Sequence, residues 1–118
     1  MVTEDYDSPS TRAGARRLLD GARRPTAVAL TGDILALALL AECRARGLDV
    51  PRDLSVIGCG DTDMGQYVDP PLTTVRMSFA EMGELAVANL LALLDGRAPP
   101  QFTVLPASLV VRQSVARR

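Results

Sequence analysis

Glycines and carboxylates stand together where two short apolar runs of the sequence end. Gly32 and Asp33 follow the run TAVAL, and Gly60 and Asp61 follow the run LSVIGC. Short apolar runs between turn-forming residues are typical of strands buried on both faces, and such strands usually belong to parallel sheets. In an open parallel sheet, ligands bind beyond the carboxyl ends of the strands. We therefore look first for a site at Gly58-Cys59-Gly60-Asp61, and Asp33 after the first run is a further candidate for contact with a ligand.

A second role is open to Asp33. It stands between a strand end and a helix start, where a carboxylate accepts hydrogen bonds from backbone N–H groups and complements the helix dipole. Helix capping and ligand contact are therefore alternative interpretations of this residue.

Other kinds of chemistry find little support. The three glycines from Gly58 onward are spaced G-x-G-x-x-x-x-G, which fails the dinucleotide-binding pattern at the third glycine. The three aspartates between Asp61 and Asp69 match no calcium-loop spacing. The chain has no histidine, and no serine or cysteine lies in a nucleophile-elbow motif. We predict that the protein is not an enzyme and uses neither a metal nor a cofactor.

Composition limits the possible partners. The 118 residues carry a net charge of -1, so the chain has no basic footprint for nucleic acid, and we do not expect this segment itself to bind DNA. Its uncharged apolar runs, such as Ile34 to Ala41, are far below the ~20 apolar residues of a membrane span. Nothing resembles a signal peptide, and the two cysteines lack metal-ligand spacing. We expect reduced thiols and a cytoplasmic protein.

The surrounding pattern alternates strands and helices. Strand, helix and strand in close succession require parallel pairing with a right-handed crossover, which predicts a doubly wound α/β fold. The predicted helices are Ser10 or Thr11 to Asp20, Asp33 to Arg46 and Phe79 to Asp95. The predicted extended segments are Thr26 to Leu30, Leu54 to Cys59, Leu72 to Arg76 and Phe102 to Val111.

Local signals refine the outer helices. In the first helix, Ala13, Leu18 and Leu19 are expected to face inward. In the last helix, Ser78 and Glu81 are expected to cap the start. Its inward positions are expected to be Met82, Leu85, Ala86, Leu90 and Leu93.

The middle helix is apolar on two sides. Spacing of 100° per residue places Leu35, Ala36, Leu39, Leu40 and Cys43 on one arc, which should pack on the sheet. The second arc contains Ile34, Leu37, Ala38 and Ala41. Either the same domain or a partner subunit must cover it.

Two long motifs resemble a known family. VPRDLSVIGCGD and PPLTTVR resemble signatures of the lactose-repressor (LacI) family of bacterial transcriptional regulators, in the effector-binding domain. MGELAV, LLDGRAPP and SLVVRQS extend the resemblance, which covers roughly residues 13 to 114. It implies the periplasmic-binding-protein-like type I fold, in which two α/β subdomains close on a small effector.

The resemblance also implies an organisation. Residues 1–72 would form part of the C-terminal subdomain, 73–100 would cross to the other subdomain, and 101–118 would return. The helix-turn-helix of the family and its first subdomain are missing, so the chain is expected to be a fragment that reaches DNA only through an absent N-terminal domain.

The implied function is effector sensing and dimerisation by a transcriptional regulator. The alternative is a transport-type sugar-binding protein of the same fold. The effector would be a sugar or a related metabolite, without a membrane partner. Its implied contacts are Tyr6, Gly32, Asp33, Gly60 and Asp61. The homodimer contacts would be Leu37, Ala41 and Arg44.

Two departures from the family affect the implied site. Most members have Asn and Asp where this chain has Gly32 and Gly60, and they commonly use these side chains to hydrogen-bond a sugar or purine. The effector is then bulkier or less polar, or its polar contacts come from elsewhere, or the effector response has been lost. The sequence leaves these alternatives open.

Overall fold

The structure, a computed structural model, describes residues 8–117. Its elements alternate as the sequence predicts. The helices are α1 (Ser8–Asp20), α2 (Asp33–Ala45), α3 (Met64–Tyr67) and α4 (Phe79–Leu94). The strands are β1 (Ala27–Ala29), β2 (Ser55–Cys59), β3 (Thr73–Met77) and β4 (Ala107–Val110).

The strands form one sheet in the order β1-β2-β3-β4. β1 pairs with β2 in parallel, with Val28 opposite Val56. β2 pairs with β3 in parallel, with Gly58 opposite Thr74. This confirms the predicted parallel α/β arrangement.

The chain divides into two compact units. Of the described residues, one unit contains 8–76 and 109–117, and the other is Met77–Ser108. The first unit holds β1, β2 and the helices α1 to α3. The second holds α4.

The core of the first unit lies between α2 and the sheet. The inward arc predicted for α2 is confirmed, because its five residues are all buried in one cluster with side chains of β2. Val56 contributes from β2, and Leu72 from the segment before β3. Glu42 connects α2 to α1, since its carboxylate pairs with Arg16 at 3.0 Å.

The first helix differs from its prediction. α1 begins at Ser8, so Pro9 lies in its first turn and Thr11 is inside the helix rather than at its cap. Proline suits the first turn, because its fixed φ is helical and an N–H at that position has no intrahelical partner. The inward face is also shifted, since Ala13 is exposed and Ala15 is buried.

Two connecting segments were also predicted incompletely. The loop after β2 contains the short helix α3. The last strand is shorter than expected and starts directly after Pro106. Proline has no N–H for the ladder, so a strand that begins after it avoids an unpaired position.

The prediction for α4 is correct in extent but wrong in burial. Ser78 makes no side-chain capping bond. Met82, Leu90 and Leu93 are 42%, 56% and 58% exposed, although they were expected to face inward. α4 is the only described helix of its unit, so no second helix within that unit covers its apolar side chains.

Candidate functional site

The parallel sheet brings the predicted ligand-contacting residues to one place. β1 and β2 end at the same side of the sheet, α2 starts after β1, and a turn of residues 60–62 follows β2. We call Gly32, Asp33, Gly60, Asp61 and Thr62 the carboxyl edge. Its two halves are in direct contact, because the Thr62 N–H donates to Asp33 at 2.7 Å. Tyr6, also predicted for this site, lies outside the described residues.

Asp33 is the centre of a buried hydrogen-bond network. Its carboxylate Oδ1 accepts a bond from the Thr74 hydroxyl at 2.6 Å, and Oδ2 accepts from the N–H and the hydroxyl of Thr62. The residue is only 2% exposed. The N-cap of α2 is Gly32, without a side-chain capping bond, so the capping interpretation of Asp33 is wrong. Its carboxylate instead ties the start of α2 to the segments that follow β2 and begin β3.

Gly58 provides the space for this carboxylate. A Cβ atom at position 58 would collide with Oδ1 of Asp33 and lie 2.9 Å from Cδ2 of Leu72. Both distances are too short for an unstrained contact. The glycine is therefore needed for close approach, and not for a phosphate-binding loop.

Asp61 is held by two arginines. Its Oδ1 accepts from Nη2 of Arg112 at 2.6 Å, and its Oδ2 accepts from Nε of Arg76 at 2.6 Å. The hydrogen bonds from Arg112 and then Arg76 lower the pKa of the Asp61 carboxyl, because they stabilise its charged form. The Asp61 side chain is 7% exposed. The backbone of Asp61 is left-handed, with φ of 53°.

Arg112 fastens this end of the sheet. Its Nη1 donates to the carbonyl of Leu72 at 2.8 Å, and its backbone N–H donates to the Thr73 hydroxyl at 2.9 Å. The residue follows β4, so it joins the returning segment to both β3 and the turn after β2. Ser114 continues this join, since its hydroxyl accepts from the Thr73 N–H and donates to the Val56 carbonyl.

The two glycines of the carboxyl edge differ in backbone conformation. Gly32 is extended, with φ of -160°, which any residue can adopt. Gly60 has φ of 131°, which side-chain-bearing residues rarely adopt. The backbone conformation at position 60 therefore favours glycine, because a residue with a side chain would be strained at this φ.

The sequence interpretation missed four partners of these aspartates, namely Thr62, Thr74, Arg76 and Arg112. Thr74 lies in the PPLTTVR motif and Arg112 in SLVVRQS. The motifs indicated that these segments matter, but the pairing spans up to 51 residues of sequence and no local pattern reveals it.

The outer arc of α2 forms a second surface. Ile34 is 51% exposed, and a cavity of about 330 Å³ adjoins this arc. The polar residues of its lining are Thr11 and Arg12 of α1. The apolar residues of its lining are Ile34, Leu37, Ala38, Ala41 and Met64. The structure thus brings Leu37 and Ala41 together. The third predicted dimer residue, Arg44, lines a separate cavity near Gly47.

Thr11 adds an unusual feature to this surface. It is 3% exposed, and its hydroxyl is the one buried side-chain polar atom without a hydrogen-bond partner among the described residues. Buried polar groups are normally paired, so this hydroxyl is an exception among the described residues.

Two further searches of residues 8–117 concern membranes and metals. None of the helices in this range combines the length and apolar character that crossing a bilayer requires. Within the same range, no three metal-ligating side chains converge.

Comparison with known proteins identifies the family. The profile of the periplasmic binding protein-like domain matches residues 2–115. The transcriptional regulator MalR of Streptomyces coelicolor is 41% identical over 113 residues, which are 94% of this chain and 32% of that protein. A LacI family regulator from Bifidobacterium animalis superposes with a TM-score of 0.85 at 36% identity, over 95% of this chain and 41% of that one. The chain belongs to the LacI family.

The match covers the C-terminal part of the effector-binding domain of LacI regulators. The lac repressor dimer bound to operator and an anti-inducer also superposes, with a TM-score of 0.86 at 33% identity. That match covers 96% of this chain and 40% of the repressor chain. The chain spans about a third of the length of the curated LacI relatives that it matches.

Proposed function

We propose that this chain is the ligand-sensing and dimer-forming part of a LacI-type transcriptional repressor that acts in the cytoplasm. A small molecule, a sugar or a related metabolite, would bind at the carboxyl edge and alter DNA binding by a separate N-terminal segment. The observation that carries the proposal is the match to LacI regulators along nearly the whole chain. The parallel sheet supports it, because ligands of such sheets bind beyond the carboxyl strand ends.

The proposed effector contacts are Gly32, Gly60 and Asp61, with Tyr6 stacking on the ligand. Asp33 would act indirectly, since both of its carboxylate oxygens are already hydrogen-bonded within the protein. We assign Met77–Ser108 to the other subdomain of the effector-binding domain. This assignment rests on its separation into a compact unit.

We propose no catalytic role. The regulators described above are not enzymes, and Asp33 and Asp61 are bound to hydroxyls and arginines rather than placed as an acid and a base. A transport-type binding protein of the same fold is the alternative. The similarity to named transcriptional regulators favours the repressor.

DNA-binding measurements test whether this chain senses the effector while a separate N-terminal segment binds DNA. The 118-residue chain should show no sequence-selective affinity for its promoter region at low salt, because its net charge of -1 gives no excess of positive charge for phosphate neutralisation. The polypeptide encoded by the whole gene should bind the same fragment. Fluorescence anisotropy with labelled DNA measures both. Tight, selective binding by the 118-residue chain alone would overturn the proposal.

The dimer surface is tested by Leu37→Glu. The proposal places Leu37, Ala41 and Arg44 towards a second copy of the chain, with Leu37 and Ala41 beside the apolar cavity. An unpaired carboxylate buried there would cost several kcal/mol of association free energy. Sedimentation velocity should show a dimeric wild type and a monomeric Leu37→Glu variant.

The matched control is Leu94→Glu, the same substitution at a residue that is 75% exposed on α4. It should leave the dimer intact, and circular dichroism should show that both variants are folded. A monomeric wild type, or a folded Leu37→Glu variant that remains dimeric, would exclude this surface as the interface.

A further inference from the structure

The described chain connects its two units at two places. It leaves the first unit after Arg76 and re-enters it at Leu109. β3 and β4 run through these two connections and are neighbours in the sheet. A change in the arrangement of the two units therefore acts on the backbone at these connections.

The carboxylate of Asp61 is bonded to both connections. Its Oδ2 accepts from Nε of Arg76, the residue after which the chain leaves the first unit, at 2.6 Å. Its Oδ1 accepts from Nη2 of Arg112, which follows β4, at 2.6 Å. The side chains of Asp61 and Arg112 are only 7% and 14% exposed, and charge-assisted bonds of this length are strong. One carboxylate thus holds the departing and the returning segment.

Asp61 also belongs to the turn at which we place the effector. The turn is attached to β3 by its backbone, since the Gly60 N–H donates to the carbonyl of Val75 at 2.8 Å. The Asp61 N–H lies 3.4 Å from the Thr74 hydroxyl. A ligand that moves this turn would therefore also change the bonds from Asp61 to the two arginines.

The two arginines differ in what else they bind. Arg112 donates to the Leu72 carbonyl and the Thr73 hydroxyl, so it stays attached to this end of the sheet without Asp61. Arg76 is 58% exposed, and among residues 8–117 its side chain bonds to Asp61 alone. The bond between Arg76 and Asp61 can therefore be broken without loss of the other contacts.

From this geometry we propose that Asp61 is a positioning residue that couples the carboxyl edge to DNA binding through its bond to Arg76. The inference rests on the proposed function, in which a separate segment binds DNA. The bond stabilises one arrangement of the two connections, so its loss redistributes the protein between arrangements that differ in DNA affinity. An effector bound at residues 60–62 acts on the same bond and hence on the same equilibrium.

The test is Arg76→Gln in the polypeptide encoded by the whole gene. Glutamine removes the positive charge, and the melting temperature should stay close to that of the wild type because exposed ion pairs contribute little to stability. Fluorescence anisotropy with labelled promoter DNA should show an affinity changed by about threefold or more, as expected for a residue in a coupling network. The matched control is Arg52→Gln, at an exposed arginine of the first unit that pairs with Asp49 at 3.4 Å. It should bind DNA like the wild type.

An Asp61→Asn background shows whether Arg76 acts through Asp61. In that background Arg76→Gln should change the DNA affinity by less than about twofold, because its charged partner is already removed. If Asp61→Asn is unfolded, the comparison of Arg76→Gln with Arg52→Gln decides alone. An effect of Arg76→Gln no larger than that of Arg52→Gln, or equal in both backgrounds, would overturn this inference and leave the proposed function standing. A wild-type polypeptide without selective DNA binding would overturn the proposed function itself.

Discussion

Gly58→Ala tests the network around Asp33 most sharply. The substitution adds one methyl group at a position where the carboxylate of Asp33 and Cδ2 of Leu72 leave no room. Overpacking of this kind costs about 1–3 kcal/mol. If Asp33 moves away, its charge-assisted bond to Thr74 is lost as well, at about 1.5–3 kcal/mol. We expect a total loss of about 2.5–6 kcal/mol in the free energy of unfolding if both effects operate.

The assay is urea unfolding followed by circular dichroism, and Gly83→Ala is the matched control. Gly83 lies in α4, and a Cβ there would meet no atom within 4 Å. Alanine is favoured over glycine inside helices, so this control should be stabilised by about 0.5–1 kcal/mol. If the free energy of unfolding falls for Gly58→Ala and rises for Gly83→Ala, the loss is due to the surroundings of position 58 and not to alanine itself.

A double variant assigns the cause. In an Asp33→Ala background, Gly58→Ala should cost clearly less, because Oδ1 is absent and only the contact with Leu72 remains. A non-additivity of that sign is expected for residues in direct contact. If Gly58→Ala is as stable as the wild type, or if the two changes are additive, the placement of Asp33 above Gly58 is wrong.

Three further predictions concern single side chains. Ser114→Ala should cost about 1–3 kcal/mol, since it leaves the N–H of Thr73 without its partner. Asp61→Asn should make the free energy of unfolding less dependent on pH in the acid range. The hydrogen bond from Arg112 lowers the pKa of Asp61 from 3.8 in the folded protein. The ionised carboxylate therefore stabilises the fold above 3.8, and this stabilisation is lost as the pH falls through the lowered pKa. The Cys43 thiol should resist thiol reagents until unfolding, since it is 1% exposed and burial raises its pKa.

Each of these predictions has a measurement and a contrary result. For Ser114→Ala the control is Ser108→Ala, an exposed serine, and equal unfolding midpoints for both would contradict the role of Ser114. For Asp61→Asn the control is Asp95→Asn, from the exposed pair with Arg97; an unchanged pH profile for Asp61→Asn would refute the ion-pair account. For Cys43, the measurement is thiol-reagent labelling followed by mass spectrometry of the peptides. Labelling of Cys43 itself in the native protein at neutral pH would contradict the prediction.

Periodicity predicted the parts of the fold that depend on local chemistry. The inward arc of α2 was correct in all five positions, because a helix packed on a sheet buries residues at helical spacing. The end of α2 was also predicted closely, since Gly47 takes the positive φ of 68° that favours glycine. The same method failed for α4, whose stripe is exposed because burial depends on neighbours and not on spacing alone.

The sequence predicted that the candidate residues lie together, but it did not predict their contacts. The rule for parallel sheets located Gly32, Asp33, Gly60 and Asp61 at one edge, and the structure brings them together. It did not reveal that both carboxylates are bound internally, because Thr74 and Arg112 are distant in sequence. Nor does residue identity show that Gly60 has a φ of 131°. These properties depend on tertiary contacts and backbone geometry.

Hydrogen–deuterium exchange with bound ligand tests the central claim most directly. Exchange is measured on the polypeptide encoded by the whole gene, with and without each of the methyl and phenyl glycosides of glucose, galactose and mannose. The exchange rates of peptides covering residues 31–33 and 60–62 are compared with those of peptides at the opposite edge, residues 24–26 and 52–54. The opposite edge is a suitable reference because it borders a cavity of about 480 Å³ that could hold a ligand instead. Added protection at 31–33 and 60–62 alone is the predicted result. Protection confined to the opposite edge, or at neither edge with any glycoside, would contradict an effector site at the carboxyl ends of the strands.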